Sequence, residues 1–249
     1  MDVIDFYNNF YLKAESSKAH AALCEKVYGR DLCQHGMADM FQIEQLIKTM
    51  NLNCNSRLLD LGCGIGFITE YIQAETDSIV TGLDFSITAI EKAKERTANK
   101  SSKLSFVIGD MNNLQYQKNT FDAISSIDTH YFVKDFEKFL DKAMEIIVPG
   151  GQICIFSDQG SGIPRDDSQL QPEESKIGLL LQRKGILFKA INFTVRNKEH
   201  WRLKAKVVKE LEEEFRIEDN LFLYNNRLDE CIKMNRDLDC RFLFQLIKK

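Results

Sequence analysis

Three acidic residues at strand ends and one glycine-rich turn carry most of the chemistry legible in this chain. Leu58-Leu59-Asp60-Leu61-Gly62-Cys63-Gly64-Ile65-Gly66 runs from an apolar stretch into an acid and then into alternating glycines. That order specifies a buried strand, a tight turn and a helix opening at Phe67. Glycines permit the sharp bend and let a ligand reach the backbone with no Cβ in the way. The helix start offers unpaired N–H groups and the positive end of its dipole. The turn is a socket for a cofactor. Asp84 closes Val80-Thr81-Gly82-Leu83, 24 positions after Asp60 (84 − 60). An acceptor-only carboxylate on a rigid strand end can take both hydroxyls of a ribose. Ser86 can cap the next helix by itself, so capping does not account for Asp84. Asp110 follows Phe106-Val107-Ile108-Gly109 and can accept from an adenine amine, with the Met111 thioether on the ring face.

A fourth group lies in Thr120–Phe132. Asp128, His130 and Tyr131 follow the end of an apolar run. Ligands of open α/β sheets bind outside the carboxyl ends of the strands, so these three are candidates to face substrate and act in catalysis. A histidine in such a loop equally packs against the following helix. Tyr7, Tyr11, Trp201, Tyr224 and Arg227 are candidates to line an acceptor site, because they are aromatic or cationic and lie outside the strand pattern. No metal site is expected: Cys24, Cys33, Cys54, Cys63, Cys154, Cys231 and Cys240 form no C-x-x-C pair.

The elements that must position these residues alternate. Candidate strands are 57–61, 79–84, 104–108, 123–127 and 152–157, with helical patterns at 67–73, 86–98 and 134–147 between them. This is the signature of a doubly wound parallel sheet. Val148-Pro149-Gly150-Gly151 reads as a helix stop before the fifth strand. Residues 158–172 read as loop, 173–185 as helix, 187–194 as strand, 197–215 and 225–236 as helices, and 241–247 as a closing strand. If that strand inserts beside the fifth, the sheet has seven strands, mostly parallel, with helices on both faces. Residues 1–50 form an N-terminal helical cap with a break near Gly29 and Gly36. Residues 51–249 form the α/β domain, with 158–185 a connecting loop and helix and 197–236 a helical lid.

A chain of 249 residues can bury one substantial core. Its net charge of −4 disfavours a partner held by phosphate neutralisation. An odd number of unpaired-looking cysteines fits a reducing, cytoplasmic compartment. The N-terminus lacks a signal-peptide pattern, and no apolar run approaches the roughly 18 residues of a membrane span.

The ordered series Asp60–Gly66, Gly82-Leu83-Asp84-Phe85-Ser86, Gly109-Asp110-Met111, Phe121-Asp122-Ala123-Ile124 and Val148–Gly151 resembles the class I, Rossmann-fold S-adenosylmethionine-dependent methyltransferases, most closely their small-molecule branch. The motifs cover about residues 56–157. The flanks are similar to a bacterial group that shares Tyr28–Gln34, Ser126–Thr129, His200-Trp201 and Asn220–Tyr224. The resemblance implies S-adenosyl-L-methionine as cofactor and a small-molecule methyl acceptor, in a monomer or homodimer. It implies that Gly62, Cys63 and Gly64 hold the methionine half and that Asp84, beside Phe85, binds ribose. Asp110 and Met111 would bind adenine, Ile127 and Asp128 would line the methionine end, and Asp60 would orient the turn or reach the cofactor amine through water. Two other readings remain open. A nicotinamide-dependent oxidoreductase suits Asp84, but Phe67 stands where the third glycine of G-x-G-x-x-G falls. A non-catalytic cofactor-binding module would use the charged 197–215 helix as a contact surface.

Overall fold

The computed structural model describes residues 2–100, 102–159, 169–234 and 240–249. Strands β1 (Arg57–Leu61), β2 (Ile79–Asp84), β3 (Leu104–Ile108), β4 (Phe121–Ser126), β5 (Ile147–Ser157), β6 (Phe188–Asn192) and β7 (Phe242–Ile247) form one sheet. Their order is β3-β2-β1-β4-β5-β7-β6. The first five are parallel, and β7 runs antiparallel to both β5 and β6. The order reverses between β1 and β4, which opens a crevice at their carboxyl ends. The expected seven-stranded, doubly wound architecture is the observed one.

Two faces of the sheet are covered. Helices α3 (Met40–Met50) and α4 (Phe67–Thr76) pack on one, beside α5 (Ile87–Thr97), and α6 (Phe136–Ile146) with α7 (Lys176–Arg183) packs on the other. Strand alternation sorts the side chains: Leu58 joins the cluster with Ile43, Leu46 and Ile72, while Leu59 joins that with Phe139 and Leu140. Side-chain caps start most helices. Ser86 and Asp135 accept the N–H three residues on, as do Asp2 and Ser17 for α1 (Val3–Ala14) and α2 (Lys18–Tyr28). Helix α4 starts without one: its N-cap is Gly66 at φ +78° with no side-chain cap bond.

A third layer lies outside the sheet-and-helix alternation. Helices α1 and α2 share a core with α8 (Thr194–Glu210), α9 (Glu212–Ile217) and α10 (Leu221–Met234). Phe10, Leu23, Cys24, Tyr28, Trp201, Val208, Leu211, Phe215 and Leu223 are buried in it. The N-terminal cap and the later helical insertion are thus one body, whereas α3 belongs to the sheet face.

The boundaries depart from the pattern-based ones in three places. The expected helix over 197–215 begins at Thr194 and breaks at Leu211. Three glutamates, Glu212–Glu214, then open α9, where the N-terminal end of the dipole favours acids. The helix expected over 225–236 begins at Leu221, and its last two expected residues lie outside the described residues. Pro149-Gly150-Gly151 falls inside β5 rather than before it. Phe121 pairs with Ile147 and Ala123 with Gln152, so the chain bulges between those two pairings. The Gly150 N–H, at φ +78°, donates to Lys248 O of the neighbouring chain end. Of the expected 158–172 loop, residues 160–168, Pro164 among them, lie outside the described residues.

Candidate functional site

The glycine turn hangs from β2. Gly62 N and Cys63 N both donate to Leu83 O, at 2.7 and 3.1 Å. Gly62, Gly64 and Gly66 all have positive φ. A Cβ on Gly62 would lie 2.3 Å from Thr129 Cγ2, and one on Gly64 2.5 Å from Tyr11 Oη. Only glycine fits either position. Arg96 pins the far side by donating to Ile65 O at 2.7 Å while lying over the Phe67 ring.

Asp84 is buried beside this turn. Its Oδ2 accepts from Gly64 N and its Oδ1 from Ser86 N, both at 2.8 Å. Burial raises its pKa, and the N–H groups of Ser86, Gly64 and Phe85 oppose that rise. Each oxygen keeps acceptor capacity for a further donor. Asp60 does different work. It accepts from Thr69 Oγ1 at 2.6 Å and Ser125 Oγ at 2.8 Å, which locks β1 to α4 and β4. Burial pushes its pKa up to about 6, against those two hydrogen bonds.

Two cavities meet at the carboxyl end of the sheet. The first is lined by Gly62–Ile68, Asp84, Phe85, Met111 and Ile127–Thr129 below, and by Tyr7, Tyr11 and the loop from Leu32 to Gly36 above. Its volume is about 90 Å³, well under the roughly 300–1,000 Å³ of small-molecule sites. The filling is aromatic: Tyr7 contacts Tyr11, Phe85 and Phe132, with ring centroids 5.7–6.0 Å apart. Burial pushes the Tyr7 hydroxyl up to about 12, and Arg227 pulls it down less strongly. Burial likewise raises Tyr131 well above the ordinary phenol range, as do the charges of Asp128, Asp158 and Glu230. Both phenols are therefore donors at neutral pH. The second cavity, of about 730 Å³, shares His35, Gly36 and Tyr131 with the first.

Residues 59–155 match the family described as "Methyltransferase domain". This region is similar to that family. Phosphoethanolamine N-methyltransferase 1 of Arabidopsis thaliana is 30% identical over 131 residues, which are 53% of this chain and 26% of that protein. The chain spans about a quarter of the length of the phosphoethanolamine methyltransferases it matches. Among solved structures, phosphoethanolamine N-methyltransferase 2 of Haemonchus contortus, in complex with phosphomonomethylethanolamine and S-adenosylhomocysteine, superposes with a TM-score of 0.69 at 19% identity, covering 97% of this chain and 60% of that one. The [4+2]-cyclase SpnF superposes at 0.72 and 16% identity, covering 99% and 95%. These two likenesses establish a shared fold.

Within the matched region, Gly62, Cys63, Gly64, Asp84, Phe85, Met111 and Ile127 line the first cavity, as does Asp128. Asp60 and Asp110 do not. Asp60 is an internal brace. Asp110 is exposed and caps the turn at Met111–Asn113, its Oδ1 accepting from Asn112 N and Nδ2 at 2.8 Å.

Four of the catalytic and lining expectations change. Asp128 is committed: Oδ2 accepts from Met37 N at 2.6 Å and Ala38 N at 3.0 Å, and Arg241 binds both oxygens, at 2.6 and 3.2 Å. A carboxylate with four donors has little capacity left to take a substrate proton. His130 is buried against Phe136 at the start of α6, with Nε2 3.3 Å from Ser157 Oγ. It lines neither cavity. Burial lowers its pKa to about 4 despite nearby Asp128. Only Tyr131 of that trio reaches both cavities. Of the lining candidates, Tyr7 and Tyr11 line the first cavity and Trp201 the second. Tyr224 turns away to donate to Glu212 Oε2 at 2.9 Å. Arg227 lies behind the wall, donating to His35 O at 3.1 Å and pairing with Glu230 at 3.3 Å.

Sequence reasoning missed Arg241, Glu230, Phe6 and the Cys33–Gly36 loop as parts of the site. Each is far in sequence from the glycine turn and has no motif spacing to mark it. Tyr28–Gln34 was visible only as an element shared with a family.

Proposed function

We propose that the chain is an S-adenosylmethionine-dependent methyltransferase acting on a small-molecule acceptor. The observation that carries this reading is the pairing of a glycine turn at positive φ with Asp84, whose carboxylate both holds that turn and faces the same cavity. The residues fit the cofactor. The Gly62–Gly66 backbone and the uncapped start of α4 suit the charged methionine half. Asp84 suits two ribose hydroxyls. The buried Met111 suits one face of the adenine, and the second carboxylate oxygen of Asp110 suits the exocyclic amine at the mouth.

The cofactor supplies an electrophilic sulfonium methyl. The protein's part is to orient the acceptor and exclude water. Proximity of this kind supplies up to about 7–11 kcal/mol in well-oriented cases. Helices α1, α2 and α8–α10 act as one cover, and Tyr7 and Tyr11 move aside as the cofactor enters their space. With Asp128 and His130 occupied, no described side chain at the cavity is poised as a strong base. An acceptor with a free lone pair fits best. The nicotinamide reading is disfavoured by Phe67, whose ring stacks under Arg96 where a third glycine would be needed.

A cytoplasmic setting is supported by seven cysteines that form no disulfide among the described residues, five of them buried. No helix among the described residues is long and apolar enough to cross a membrane. The acidic balance favours a small-molecule partner over nucleic acid.

Calorimetry with S-adenosylhomocysteine and with NAD tests the reading. Heat from the first and none from the second is expected. Binding of NAD alone refutes it.

A further inference from the structure

The second cavity, of about 730 Å³, has the size of a small-molecule site. It meets the first through Tyr131, His35 and Gly36. Phe6, Tyr131 and Trp201 give it ring surfaces. Its charges are answered from within the protein. Glu230 is held by Lys204 at 2.8 Å and by Arg227 at 3.3 Å. Asp229 and Lys233 both line the cavity and stand one helical turn apart on α10. Asp158 has a partner of its own. What the walls leave unanswered is uncharged. The Trp201 indole Nε1 has no hydrogen-bond partner and is shut off from water, and so is His35 Nε2.

Resting on the methyltransferase reading above, we propose that this cavity holds the methyl acceptor, and that the acceptor is an uncharged aromatic molecule presenting an oxygen lone pair to the Trp201 N–H.

An indole nitrogen only donates, so its missing partner is a lone pair. An ammonium has none to give. A carboxylate has, but at the junction it would meet Asp128, Asp158 and Glu230, whose charges already raise the Tyr131 hydroxyl. Either ion would also leave its water shell for a cavity whose described lining residues hold no unshared counter-ion. An ion loses far more on such a transfer than a neutral polar group does. An uncharged oxygen meets neither obstacle. Trp201 is 2% exposed and forms part of the cavity wall, so a small turn of its ring brings the N–H to a ligand oxygen. His35 stays an uncharged imidazole, because burial lowers its pKa well below the ordinary value and Arg227 adds to that. Its Nε2 is a second neutral hydrogen-bonding atom, on the residue that both cavities share. The ring surfaces suit a flat aromatic body.

An uncharged acceptor also brings its nucleophilic lone pair ready for transfer. That lone pair forms the new bond to the methyl carbon, and the electron pair of the broken S–C bond stays on sulfur as a thioether. The positive charge passes to the methylated atom, which sheds a proton to water where it carries one.

Trp201 is the one tryptophan of the chain, so nitrogen-labelled protein gives a single indole N–H resonance. Four probes share one ring: uncharged benzamide, toluene with no oxygen, the cation benzylammonium and the anion benzoate. Each is titrated by nuclear magnetic resonance into the full chain saturated with S-adenosylhomocysteine. Benzamide should move the indole proton downfield, as hydrogen bonding does, and toluene should not. Benzamide should also bind at least about fivefold tighter than either ion. Trp201→Phe keeps a ring and loses the N–H; it should weaken benzamide about threefold or more and toluene less than about twofold. The wild-type resonance decides by itself where that variant does not fold. The proposal is overturned by no binding of benzamide, by an indole proton that benzamide leaves in place or that toluene moves as far, by an ion that binds within about fivefold of benzamide or tighter, or by a folded Trp201→Phe with unchanged benzamide affinity. Each of these leaves the methyltransferase reading intact. Failure of S-adenosylhomocysteine itself to bind strikes the methyltransferase reading, and this proposal with it.

Discussion

Replacing Arg241 by methionine should weaken both the fold and the proposed cofactor site, because one buried carboxylate ties four parts of the chain together. Asp128 sits at φ +57° just past β4. It receives Met37 N and Ala38 N from the loop before α3, and both ends of the Arg241 guanidinium from the approach to β7. Arg241 in turn donates through Nε to Gln42 Oε1 at 2.7 Å and lies over the Phe156 ring. Both partners are buried. Removing one member of a buried pair costs about 3–5 kcal/mol, since the other is left uncompensated. After Arg241→Met, Asp128 keeps two backbone donors, so the loss belongs near the lower end, about 3 kcal/mol. After Asp128→Asn, buried Arg241 loses the opposing charge and keeps Gln42 Oε1 and at most one amide oxygen as acceptors, so the loss belongs near the upper end. The double variant should cost less than the sum of the two, with a coupling energy of about 1–3 kcal/mol. Urea denaturation of the four proteins measures this, with unchanged slopes confirming a shared denatured state. Gly36 packs directly against Asp128 and lines both cavities, so S-adenosylhomocysteine affinity should fall in parallel. If Arg241→Met costs under about 1 kcal/mol and the cycle shows no coupling, the brace is not energetically real.

Asp84→Asn should leave a cooperative melt but weaken S-adenosylhomocysteine binding about tenfold or more, as charged hydrogen bonds are worth roughly 1.5–3 kcal/mol; calorimetry within twofold of wild type would refute a ribose contact. His130→Asn should flatten the acid side of the stability profile. Its folded pKa of about 4 lies below the ordinary 6.5, so the unfolded chain binds the proton more tightly between those values. Wild-type stability is then lost as pH falls from 6.5 toward 4, by roughly 2–3 kcal/mol at pH 4.5 relative to the variant; melts at pH 7 and 4.5 that shift equally in both proteins would contradict this. Deleting residues 2–39 should abolish the cooperative melt instead of yielding a trimmed enzyme, because Phe10, Leu23 and Tyr28 fill the core shared with α8–α10; a truncated chain that melts sharply and binds adenosine would show that the cap is dispensable.

The sequence by itself determined the sheet and its socket. Period-two and period-3.6 patterns are local properties, as is a glycine turn behind a strand, so β1–β5, α4–α6 and the cavity-lining Gly62, Gly64 and Asp84 were legible from residue types and spacing. The start of α5 was legible too, since Ser86 acts within three residues of itself. Tertiary structure alone decided what the free-looking polar residues do. Asp60, Asp110 and Asp128 are equivalent on paper: each is an acid at a strand end. Asp60 became an internal brace because Thr69 and Ser125 reach it, Asp110 a rim cap because Asn112 does, and Asp128 an ion-pair hub because Arg241, 113 residues away, folds back onto it. His130 was turned into the core by the start of α6, and Tyr224 toward Glu212 by the break at Leu211. The merging of the two ends of the chain into one helical layer was equally invisible beforehand. Hydrophobic periodicity tells which face of a helix is buried but not which other helix will bury it.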